Sequence, residues 1–73
     1  MTPQDVAAAI GCLGAPYKAY AQLILDNNVS GKMAARVAAK PEVQALEWLV
    51  DLGIASAVHR DAILMEFQSW SSP

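Results

Sequence analysis

The chain has 73 residues, 55% hydrophobic and only 16% charged, with a net charge of −2 and a pI of about 5.0. That length allows one domain, close to the lower limit for an unaided core. The acidic balance excludes overall steering towards nucleic acid or an anionic membrane. The single cysteine, Cys12, excludes an internal disulfide framework and a cysteine-based zinc site, and reads as a small buried hydrophobe rather than a reactive thiol. A chain this short and apolar cannot hide every apolar side chain, so exposed patches that act as contact surfaces are expected. No apolar run is long enough to span a membrane. The start, Met1-Thr2-Pro3-Gln4-Asp5, lacks a basic region before an apolar run, so an intracellular, cytoplasmic setting is expected.

Three of the four prolines stand where helices should begin. Thr2-Pro3-Gln4-Asp5 supplies an N-cap, a proline at the first helical position and an acid at the third. The helix it opens is expected to run to about Cys12, with Val6, Ala9, Ile10 and Leu13 inward and Gly11 and Gly14 weakening its end. Pro16 should start a second helix with Tyr17, Tyr20, Ala21 and Ile24 on one face and Leu23 and Leu25 widening it. Asp26-Asn27-Asn28 stops it, and Val29 turns inward before Ser30 caps a short third helix to about Ala39. Lys40-Pro41-Glu42 breaks the chain and opens a fourth helix with Val43, Leu46, Leu49 and Val50 as its core stripe.

The fifth helix is the longest. Gly53 can close the helix before it in a left-handed conformation, and Ser56 can cap the next. Val58, Ile63, Phe67 and Trp70 then recur near helical spacing, with Ala62 and Leu64 beside them. No stretch alternates like a strand. The expectation is an all-α, compact five-helix bundle over 1–70, with 71–73 (Ser71-Ser72-Pro73) opening a linker towards the rest of a longer protein.

Four short motifs occur in order: Tyr17-Lys18-Ala19-Tyr20, Asn28-Val29-Ser30-Gly31, Leu52-Gly53-Ile54 and His59-Arg60-Asp61-Ala62-Ile63-Leu64. With the helix count and the long last helix, they resemble the sterile alpha motif (SAM) domains, over Asp5 to Trp70. The second is similar to the family's Asn-Ile-Asp-Gly and the last to its His-Arg-x-x-Ile-Leu. The chain departs from the family in a longer stretch between Gly31 and Leu52, in the absence of Trp from the first helix, and in Val58 where glycine is common. Asp61 and Ala62 stand where basic residues are frequent.

The resemblance implies a protein-interaction module that pairs head to tail with itself or another SAM-like domain. In such pairing an end-helix surface, around the start of the last helix, meets a mid-loop surface across the middle helices. Two unlike surfaces make the contact heterologous, so it can propagate into a homo-oligomer or polymer. The end-helix candidates are Gly53, Ile54, Ala55, Val58, His59 and Arg60. There a helix N-terminus and Arg60 could receive a carboxylate. On the competing reading Ile54 is core, His59 packs locally and Arg60 pairs with Asp61. The mid-loop candidates are Glu47, Trp48 and Asp51, with Asp26 and Glu42 extending the acidic patch. The competing reading has Trp48 filling space left by the missing first-helix Trp.

Lys32, Arg36 and Lys40, spaced i, i+4 and i+8, form a basic stripe on the third helix. It reads first as a solvated face. The sharper readings are a docking face for an acidic partner, or nucleic-acid or anionic-phospholipid binding together with Arg60, for which the cations are few and no aromatic interleaves to stack bases. With one histidine and no phosphate loop or metal-ligand cluster, no catalysis, metal, cofactor or small-molecule substrate is expected. A third possibility is an inert cap that packs on the rest of its own protein.

Overall fold

The computed structural model describes residues 1–71, Ser71 by its backbone alone. Ser72 and Pro73, the end of the expected linker, lie outside the described residues. The chain is all-α, as expected: α1 (Pro3–Gly11), α2 (Lys18–Asp26), α3 (Gly31–Ala39), α4 (Glu42–Leu52) and α5 (Ala57–Ser71), with no strand among the described residues. It divides into two compact units, Met1–Met33 and Ala34 onward, the division falling inside α3.

The first unit is built on α1 and α2, which pack together. At the start of α1 the Thr2 hydroxyl accepts the Asp5 N–H at 3.2 Å while the Asp5 carboxylate accepts the Thr2 N–H at 3.0 Å. Two amides that the helix cannot satisfy are thus paired reciprocally, with Pro3 needing none. The Thr2 hydrogen bonds hold the exposed Asp5 carboxyl below its ordinary pKa of 3.8. Val6, Ala7, Ile10, Ile24 and Val29 are the buried side chains of this unit. Ala7 takes the fully buried place expected for Ala9, which is half-buried, as is Leu13.

The expected start of α2 at Pro16 is instead a 3-10 turn at Ala15–Tyr17, closed by the Tyr17 N–H donating to the Gly14 carbonyl at 3.0 Å. Tyr17 and Tyr20 meet edge to face, centroids 6.1 Å apart. Leu25 lies on the solvent side of α2 and does not widen its core face. The helix ends when Asn28 takes a left-handed φ of 53°. The Val29 N–H then reaches the Ile24 carbonyl and the Asn28 N–H the Leu25 carbonyl, and Ile24 and Val29 are both fully buried. That is a Schellman closure with its apolar contact pair.

Ser30 next caps α3, its Oγ 3.4 Å from the Met33 N–H. The Gly31 N–H donates to the Met1 carbonyl at 2.8 Å. A Cβ on Gly31 would stand 2.9 Å from the Met1 Cβ, so the close approach of the two segments requires glycine.

The second unit repeats the Schellman device. Gly53, at φ 120°, closes α4; its N–H reaches the Val50 carbonyl and the Ile54 N–H the Leu49 carbonyl, with Leu49 and Ile54 both fully buried. Helices α4 and α5 pack together. The buried side chains are Ala34, Val37, Ala45, Leu49, Ile54, Ile63, Leu64 and Phe67. Each large one stabilises the fold by about 1.5–3 kcal/mol through removal from water. Trp70 stacks obliquely on Phe67, centroids 5.4 Å apart.

The expected stripe of α4 is corrected. Ala45 and Leu49 face the core, while Val43 and Val50 are 69% and 50% exposed. Leu46, Trp48 and Leu52 are half-buried, so the inward face is turned from the Val43–Val50 line towards Ala45. On α5, Val58 is likewise outside the stripe that Ile63, Leu64 and Phe67 form, at 74% exposure.

Candidate interaction surfaces

The connection between α4 and α5 is held at four points. Ile54 is buried, Gly53 supplies the left-handed turn, and the Ser56 hydroxyl accepts the His59 N–H at 3.3 Å. The fourth is Arg60, whose Nη1 donates to the Ile54 carbonyl at 2.9 Å and the Ala55 carbonyl at 2.7 Å. A guanidinium that reaches back over the turn ties down two carbonyls that neither helix can satisfy.

Among the end-helix candidates, then, Ile54 is core and Arg60 clamps the turn. Arg60 engages backbone carbonyls rather than Asp61, the partner that the competing reading gave it. His59 is half-buried, while Gly53, Ala55 and Val58 are exposed. Val58 also borders a depression of about 370 Å³ that Leu46, Ala57, Arg60 and Asp61 line with it. The depression brings an α4 side chain, Leu46, to the start of α5. Its floor is apolar, and one charge of each sign stands on it.

The mid-loop candidates fall in both units. Asp26 belongs to the first, where its carboxylate accepts a hydrogen bond from the Gln22 amide at 2.7 Å. Glu42, Glu47 and Asp51 belong to the second and are exposed on α4. Trp48 is half-buried and so is not the freely exposed anchor flanked by acids. The apolar element of that surface is instead Val43 and Val50. With Glu47 between them they fall within about 60° of one another on α4, at about 100° per residue. Reading Val43 and Val50 as core hid them. The available signal was the rival line Ala45–Leu49–Leu52, which fits helical spacing equally well. Met65, 64% exposed and seven residues beyond Val58 on α5, is a further exposed apolar side chain that the stripe reading of α5 did not place.

Lys32, Arg36 and Lys40 are all exposed, with Ala35 and Ala39 exposed between them. In the first unit, Ala8, Gly11, Cys12, Gly14, Ala15 and Lys18 border an open groove of about 420 Å³. Cys12 is exposed there rather than buried, in a groove lined mostly by Ala and Gly. Among the described residues no group of three or more His, Cys, Asp or Glu could hold a metal ion. No helix among them is long and apolar enough to cross a membrane. No family model matches the chain, and neither a curated protein nor a solved structure matches it.

Proposed function

We propose that this is a SAM-like interaction module, a binding domain rather than an enzyme, that pairs with a second copy or a similar domain to scaffold or oligomerise a larger intracellular protein. The observation that carries the reading is the placement of exposed apolar side chains. Val43 and Val50 on α4, and Val58 and Met65 on α5, stand half or more exposed. Apolar side chains left in water, Val58 among them at the edge of a depression, are what a protein-binding surface requires. The starting turn of α5 is rigidly held by Gly53, Ile54, Ser56 and Arg60, so it can present Val58 with little loss of conformational entropy on binding.

Sedimentation velocity over a wide concentration range, on the wild type and on Val58→Asp, tests the proposal. The expected result is concentration-dependent association in the wild type that the variant shifts towards monomer. A wild type that stays monomeric throughout, and pulls no similar domain into a complex, would overturn it. Binding of a labelled RNA hairpin or of anionic vesicles, abolished by reversing Lys32 and Arg36, would favour the basic stripe instead.

A further inference from the structure

On the end-helix surface the Arg60 guanidinium already has backbone partners. Nη1 of Arg60, the one cation there, is held by the Ile54 and Ala55 carbonyls, and Asp61 stands exposed beside it. The acids of α4 can instead meet exposed cations that follow one helical line, Lys32 and Arg36 on α3 and Lys40 just past it. Among the described residues, none of the side chains of Lys32, Arg36, Lys40, Glu42, Glu47 and Asp51 is taken up in an ion pair or hydrogen bond.

The two faces also match in pattern. On α3, Lys32 and Arg36 are one turn apart, Lys40 follows just past the helix, and Ala35 and Ala39 lie between them. On α4, Glu47 and Asp51 are one turn apart, with Val43 and Val50 alongside. Four residues of helix advance about 6 Å, so the charges on both faces share one spacing, and two cations can oppose two acids whichever way the helices run. The small Ala35 and Ala39 let the α3 backbone come close enough for Val43 and Val50 to lose water.

We propose that the α4 face of Val43, Glu47, Val50 and Asp51 binds the basic α3 face of a second copy of this chain. The inference rests on the reading of the domain as a self-associating module, and it replaces Arg60 by Arg36 as the cation that meets the acids. Complementary charges on the two faces speed encounter and fix register, so the association weakens as salt rises.

The test is sedimentation velocity at low and high salt on the wild type, Arg36→Glu, Glu47→Arg, the double variant Arg36→Glu/Glu47→Arg and Val58→Asp. All three positions lie on the surface, and circular dichroism confirms that each variant folds. The expected result is that each single charge reversal weakens association roughly tenfold or more and that the double variant restores it, because the pair is remade with its signs exchanged. A double variant no better than the singles would overturn the pairing. Charge reversals without effect, beside loss of association in Val58→Asp, would overturn this inference and leave the module reading standing. Monomers throughout would overturn both.

Discussion

Two residues apart in the first turn of α5, Val58 and Arg60 do opposite things. Val58 is presented to solvent, while Arg60 turns back onto the Ile54 and Ala55 carbonyls. Arg60→Ala should therefore cost stability, by about 1–2 kcal/mol in chemical denaturation, since it leaves those carbonyls unpaired. Arg60→Lys should recover only part of it, lacking the planar fork. A loss of binding in an Arg60 variant would mix this structural effect with any interface effect, and Val58→Asp is the cleaner probe.

Glycines divide in the same way. A Cβ on Gly11 meets nothing within 4 Å, so Gly11→Ala should stabilise α1 by about 0.5–1 kcal/mol. Gly53 stands at φ 120°, and Gly53→Ala should destabilise by about 1–2 kcal/mol. Thermal unfolding of the two variants reads both signs. Asp5 has its pKa lowered by its hydrogen bonds with Thr2, so its contribution is present above its ordinary pKa of 3.8 and lost as pH falls through the lower folded value. Asp5→Asn should therefore flatten the part of the acid-induced fall in melting temperature that occurs below about pH 4.

At the scale of the element, most helix ends were legible, the start of α2 excepted, while the facing of α4 was not. Thr2, Ser30 and Ser56 cap where the residue type demands, and α2 and α4 close by the same hydrogen-bond pattern, once with Asn28 and once with Gly53. Caps and left-handed turns depend on a few neighbouring residues, so local chemistry decides them. Facing depends on what lies opposite. In α4 nearly every position offers an apolar candidate, and two stripes fit the helical period: Val43–Leu46–Leu49–Val50 and Ala45–Leu49–Leu52. Burial in the folded chain, where α4 packs against α5, selects Ala45 and Leu49. Val43→Ser should accordingly change stability by less than about 0.5 kcal/mol, whereas Leu49→Ala should cost about 2–5 kcal/mol. Equal costs measured by denaturant unfolding would show the stripe to be wrongly placed. The same limit concealed the candidate site. Arg60 was legible as a charge near the turn, but its engagement with carbonyls five and six residues back exists only once the turn has formed.

For the whole molecule, a 73-residue chain with 55% hydrophobic residues has more apolar surface than its own core can cover. The excess is not scattered evenly. Four of the six large apolar side chains left exposed lie on α4 and α5, in the unit that also carries Arg36, Lys40, Glu47 and Asp51 unpaired. A surface of that make-up is suited to weak, reversible contacts whose register charges decide.

The most direct measurement is a concentration series of amide nitrogen–proton correlation spectra. If the domain binds its own kind as proposed, the amides of α3, of the exposed face of α4 and of the α5 start around Val58 shift or broaden with concentration, while those of α1 stay still. Spectra that do not change with concentration, or that change only in the first unit around the Ala8–Cys12 groove, would contradict it.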